Sequence, residues 1–134
     1  MIRVLVPVRY PLSAHSRRTL ERAIDECDAR DGELVVLHVN VYQRDEHVSR
    51  ADLQRAVEGA VGRLPQARFS VRQGFLVEET ILEEIAAEEA DVVVIGRKQA
   101  GRWRRALRRL MSDPDIERYL TERVDCELIV VEPP

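Results

Sequence analysis

Lysine is nearly missing from this chain: of 21 basic residues, only Lys98 is not arginine. Because arginine is scattered through every segment, the bias reads as a compositional habit rather than a binding signature. Cysteine is also scarce. Cys27 and Cys126 stand alone without a Cys-x-x-Cys spacing, which argues against a zinc ribbon, a dithiol redox motif or a disulfide framework. Both fall at apolar positions and read as buried thiols. The three histidines, His15, His38 and His47, are dispersed and have no flanking cysteine or paired carboxylates, so no metal site is expected. No apolar run is long enough to span a bilayer, and no basic leader precedes the first apolar residues. A cytoplasmic protein without membrane attachment is the expectation. No strand is followed by a phosphate-binding Gly-x-x-x-x-Gly-Lys pattern. Nor is there an internal repeat, a linker or a low-complexity tract, so residues 1–134 are read as one domain whose 45% hydrophobic content supplies one core.

What is present is organised around residues 91–101, where Val92, Val93, Val94 and Ile95 run straight into Gly96. A continuous apolar run rich in valine reads as a parallel strand buried on both faces. In open α/β sheets ligands sit beyond the carboxyl ends of such strands, which makes the loop expected from Gly96 onward the place to look for function. That stretch holds seven basic residues (Arg97, Lys98, Arg102, Arg104, Arg105, Arg108 and Arg109) and no acidic one. The whole chain carries −3, so the remainder, less those seven positive charges, carries −10. A basic patch on an acidic body fits a local anion site or a grip on a polyanion. It also fits a merely solvated face. Within it Trp103, Leu107 and Leu110 share one face of an expected short helix over 102–110, with the arginines opposite.

The rest of the chain alternates strand and helix. Strands are expected over 2–8, with Pro7 near its end, and over 34–39, 67–73, 92–95 and 128–131; the alternation of Phe69 and Val71 places the third at a sheet edge. A first helix carries Leu20, Ala23, Ile24 and Cys27, is capped by Ser13 or Ser16, and stops near Asp31 and Gly32, where glycine is expected in the left-handed conformation. Residues 41–49 read as a surface connection. Further helices are expected over 50–64 and 78–89, the latter with a capping box from Thr80 to Glu83, and after Asp113-Pro114 with Ile116, Tyr119, Leu120 and Val124 inward. Strand, helix, strand in succession implies a parallel sheet, so the fold class is a three-layer α/β fold: an open five-stranded parallel sheet with helices on both faces.

The order of several short pieces resembles the universal stress protein family over nearly the whole length. These are Val4-Leu5-Val6-Pro7-Val8 before a serine-bearing helix, Leu37-His38-Val39, Gly74 before a helix, Ala90 to Gly96, and Asp125 to Val131. The resemblance implies the fold shared with adenine-nucleotide alpha hydrolases, the amino-terminal strand central, and a homodimer joined through the carboxyl-terminal strand. Many members bind ATP and others do not. In those that do, a glycine, two residues, a second glycine, nine residues and a glycine-serine or glycine-threonine pair surround the phosphates. Gly96 matches the first glycine. The second is displaced to Gly101, Met111-Ser112 stands for the last pair, Asp113 and Asp115 bring negative charge, and Arg9 replaces the aspartate that reaches the base.

The candidate site is therefore Arg9, Val36, Gly96, Arg97, Lys98, Gly101 and Ser112, an anion site for ATP or AMP with an eroded pattern. Catalysis is not expected. Ser13 or Ser16 with His15 lacks an oriented third partner, the pairs Glu78-Glu79 and Glu83-Glu84 read as a solvated helix face, and His38 reads as a packed, hydrogen-bonded strand residue. The leading expectation is a non-catalytic regulatory or ligand-binding module that holds ATP poorly. The alternatives are a nucleotide binder with an altered pocket, or an interaction protein whose segment 97–109 binds nucleic acid or an acidic protein.

Overall fold

The central apolar runs have no polar side because those strands are covered on both faces. The computed structural model describes residues 1–44, 47–110 and 126–134, and leaves aside the side chains at 107, 109 and 110. It orders the chain as β1 (Arg3–Pro7), α1 (Ala14–Arg30), β2 (Glu33–Val41), α2 (Arg50–Val61), β3 (Ala67–Gly74), α3 (Val77–Glu88), β4 (Val92–Gly96), α4 (Arg97–Leu110) and β5 (Glu127–Val131). Every pairing is parallel and the spatial order is β3-β2-β1-β4-β5, with β1 at the centre. Successive side chains of a strand point to opposite faces. Val4, Val6, Val36 and Val94 accordingly pack with Leu20 and Ala23 of α1 and Leu53 and Val57 of α2. Leu5, Val35, Val93 and Ile95 pack with Ile81 and Ile85 of α3 and with Ala100 and Trp103 of α4. The expected three-layer fold with the first strand central is what the structure shows.

Several local expectations give way to tertiary constraints. The left-handed residue ending α1 is Asp31 (φ 51°), not Gly32. Gly32 answers a close approach instead, since a β-carbon there would lie 2.9 Å from the carbonyl oxygen of Ile2. The capping box proposed from Thr80 does not form. Leu76 occupies the cap position of α3 and makes no side-chain cap bond, while the Thr80 hydroxyl, buried one turn inside the helix, donates to the Leu76 carbonyl at 2.8 Å. A capping box does form at α2, where Ser49 and Asp52 exchange side-chain and backbone bonds. Glu84 is not part of a solvated face: it is 3% exposed, accepts from the Ser70 hydroxyl and is paired with Arg72 at 3.1 Å.

The largest departure is at the basic stretch. No loop follows β4; α4 begins directly at Arg97 and runs through the segment expected as loop plus short helix. Trp103 is 1% exposed and its indole N–H donates to the Glu78 carbonyl at 3.2 Å, fastening α4 against α3. Of the expected packing stripe Trp103 is seated, while Leu107 and Leu110 lie outside the described side chains. The helix expected after Asp113 also lies outside the described residues.

Candidate functional site

The chain leaves β1 toward β2 and β3 on one side and reaches β4 and β5 on the other, so the strand order reverses between β1 and β4. Two connections diverge at their carboxyl ends and leave a crevice, the usual ligand position of such sheets. On one wall the β1–α1 loop is tied down by Ser13, whose side chain accepts the Ser16 backbone N–H at 3.0 Å as the N-cap of α1. The Ser16 hydroxyl in turn accepts from the Arg9 backbone N–H at 3.4 Å. On the other wall α4 starts at once after Gly96, with no acidic residue in its first turn. The N-termini of α1 and α4 thus open on the same crevice, and helix N-termini carry partial positive charge.

A cavity of about 330 Å³ fills this crevice, lined by Ser13, His15 and Ser16 of α1, by Gly96, Lys98, Gln99 and Arg102, and by Arg9, Pro133 and Pro134 among others. A smaller cavity of about 110 Å³ shares Arg9, Gln99 and Arg102 and leads toward Tyr10, His38 and Arg44. Among the described residues the lining of neither includes an Asp or Glu. His15 closes one side: its Nε2 lies 3.0 Å from the Val131 carbonyl oxygen. A carbonyl only accepts, so Nε2 carries the proton in that bond. The imidazole rests on Gly96, where a β-carbon would stand 2.7 Å from the ring. His38 closes another, its Nδ1 3.0 Å from the Val8 carbonyl and its ring edge-on to Tyr10 at 6.2 Å. Burial holds the His38 imidazole below its ordinary pKa, against the opposing pull of the Val8 carbonyl.

The candidate residues separate on this geometry. Arg9, Gly96 and Lys98 line the crevice together. Arg97 turns to the exposed Glu132 instead, its Nε 3.0 Å from the carboxylate, and the bond holds Glu132 below the ordinary carboxylate range. Val36 lies in the core, fully buried under α1 and α2, because its position in β2 points it into the sheet's covered face. Gly101 is inside α4 and makes no close approach; a β-carbon there would meet only Arg105, at 4.0 Å. Ser112 is outside the described residues. His15, Ser13, Gln99 and Arg102 join the site without having been assigned to it. The signal for the first two was present in the helix cap that follows the central strand, where anion-binding amides gather. Among the described residues no cluster of His, Cys, Asp and Glu could hold a metal ion.

A model of the universal stress protein family matches residues 1–132. The chain belongs to the universal stress protein family. No curated protein sequence gives a significant match. Among solved structures, a universal stress protein from Archaeoglobus fulgidus is similar at TM-score 0.64 and 21% identity, over 98% of this chain and 44% of that one. A universal stress protein in complex with cAMP is similar at TM-score 0.57 and 17% identity, with 97% of each chain covered. One from Archaeoglobus fulgidus in complex with dAMP is similar at TM-score 0.55 and 14% identity, again over 97% of each chain. At these identities the likeness is one of fold.

Proposed function

We propose that this universal stress protein is a non-catalytic binding module whose ligand is a small phosphate-bearing anion of the adenine mononucleotide class, held between the N-termini of α1 and α4. The carrying observation is the convergence of Arg9, Lys98 and Arg102 on a crevice whose lining, among the described residues, includes no Asp or Glu side chain. Two helix N-termini and three side-chain cations favour a phosphate there. The cavity lies at the small end of the roughly 300–1,000 Å³ range of small-molecule sites, which favours one nucleotide over a larger cofactor. The family's solved members with cAMP and dAMP support the same class. Magnesium is bound through carboxylates as well as phosphates, and with no Asp or Glu side chain among the described lining residues the Mg–ATP complex is a poor fit. The His15 ring is bonded to the Val131 carbonyl, while the Ser13 hydroxyl donates to the Ser16 hydroxyl, and no hydrogen bond joins that ring to either serine as a nucleophile and base would require. In the same reading the protein acts as a homodimer paired through β5.

Calorimetric titration tests the proposal. AMP is expected to bind saturably, Mg–ATP at least tenfold more weakly, and the Arg9→Gln, Arg102→Gln double variant to lose at least tenfold for AMP. Thermal unfolding gives an independent readout, since a ligand at about 100 times its Kd adds about 2.7 kcal/mol. No stabilisation by AMP or cAMP at millimolar concentration would overturn the reading.

A further inference from the structure

The crevice is one end of a longer surface. Away from it, arginines are mostly neutralised: Arg17 and Arg22 by glutamates one turn along α1, Arg30 by Glu26 and Glu127, Arg68 and Arg72 by glutamates of α3. Arg9, Arg44 and Arg102 on the carboxyl rim of the sheet, and Arg105 further along α4, have no ion pair among the described residues. Lys98, Arg102 and Arg105 stand at i, i+4 and i+7 of α4 and so form one stripe. At 1.5 Å rise per residue the stripe carries positive charge about 10 Å out from the first turn of α4.

The same rim gathers the exposed aromatic surface of the molecule. Apart from Met1, the large apolar side chains left exposed among the described residues are Tyr10, Tyr42, Phe75 and Leu76. All four follow the carboxyl ends of β1, β2 or β3. Tyr42 and Phe75 contact each other with ring centroids 4.6 Å apart while remaining 49% and 69% exposed. The Tyr42 backbone N–H donates to the Gly74 carbonyl at 3.0 Å, which fixes the pair over the ends of β2 and β3. Arg44 lies beside them in sequence and reaches the smaller cavity.

Unpaired guanidinium groups and exposed aromatic rings gathered at one end of the sheet are the chemistry of a single-stranded nucleic acid track, in which cations follow the backbone and bases stack on aromatics. A duplex would leave the rings unused because its bases are already stacked, and an acidic peptide would need the charge but not the rings. We propose that the carboxyl rim of the sheet binds a short single-stranded oligonucleotide, with one phosphate in the crevice, neighbouring phosphates along the Lys98–Arg102–Arg105 stripe, and bases on Tyr10 and the Tyr42–Phe75 pair. This rests on the crevice being the mononucleotide site and extends it to a polymer.

Fluorescence anisotropy with a dye-labelled single-stranded octanucleotide tests it, with AMP titrated in parallel by calorimetry and inorganic polyphosphate of equal charge as competitor. The octanucleotide is expected to bind at least tenfold more tightly than AMP at low salt and to outcompete polyphosphate. Each phosphate neutralised contributes about −0.7 to the slope of log affinity against log salt, so Arg105→Gln should make that slope shallower by about 0.7. Tyr42→Ala with Phe75→Ala should weaken the oligonucleotide about fivefold or more. Both variants should bind AMP as the parent does. Because these side chains are exposed, circular dichroism should show an unchanged fold. The track is refuted if AMP binds and the octanucleotide binds no tighter, if polyphosphate competes equally, or if the ring variant matches the parent. Loss of binding to both AMP and oligonucleotide in the parent would remove the crevice reading as well.

Discussion

His38 shows how a single buried side chain ties the site to pH. Its ordinary pKa of 6.5 is lowered in the fold, with burial the largest cause. The unfolded chain then binds a proton more readily than the folded one between the lowered value and 6.5, so stability rises with pH through that window and is lost as pH falls below 6.5. The melting temperature is expected to drop between pH 7 and pH 5, and His38→Gln to flatten that part of the profile; an unchanged profile would contradict the assignment. Cys27 supplies a second residue-level test. Burial first, then Asp28 and Glu26, push its thiol up to about 11. Since the thiolate is the nucleophile, the folded protein should leave Cys27 unalkylated by iodoacetamide at pH 8, and mass mapping of the modified peptide checks it. A third concerns Gly96, whose missing β-carbon leaves room for the His15 ring. Gly96→Ala should displace that ring from Val131 and cost about 1–3 kcal/mol, the range for overpacking. In a His15→Ala background the same substitution should cost much less, and a double-mutant cycle without coupling would exclude the contact as the cause.

At the scale of elements, α3 offers the clearest test of a local rule. Its cap position is filled by Leu76, 53% exposed and extended in backbone, with no side-chain oxygen for the first-turn amides. Leu76→Asp or Leu76→Ser should stabilise the fold by about 0.5–2 kcal/mol, and urea unfolding that shows no gain would mean that the loop before α3 already satisfies those amides. The sequence misled here because Thr80-Ile81-Leu82-Glu83 has the spacing of a capping box. What the spacing could not show is that Thr80 is buried against Gly74, where a β-carbon would collide with the hydroxyl. The central strands were legible because their apolar runs are covered on both faces, and the placing of 67–73 at an edge holds for β3. α4 was less so: a strand that turns into a helix without an intervening cap residue gives no boundary signal, and a run of cations resembles a solvated loop even though arginine is a good helix former. Arg9, Gly96 and Lys98 were readable as crevice residues because they follow strand ends. Gln99 and Arg102 were not, since their place depends on how α4 faces α1 across the sheet.

For the whole molecule the sheet has two edges, and they differ. β3 exposes Arg68 and Arg72, each paired with a glutamate of α3, and charged side chains along an edge discourage strand addition. β5 reads Glu127-Leu128-Ile129-Val130-Val131 and keeps Leu128, Ile129 and Val130 only partly buried. An apolar edge of this kind invites pairing with its own copy about a two-fold axis, which would join two five-stranded sheets into one. The pairing would also bear on the crevice, because the last residue of β5 accepts the His15 bond and the next residue holds Arg97. We therefore expect light scattering at micromolar concentration to give twice the 15.4 kDa chain mass. The melting temperature should also rise with protein concentration, as it does when association favours the folded state. Ile129→Lys places a charge at the centre of that edge and should shift the equilibrium toward the monomer. A monomer mass for the parent chain, with a melting temperature independent of concentration, would leave β5 as an unpaired edge and remove the dimer from the proposal.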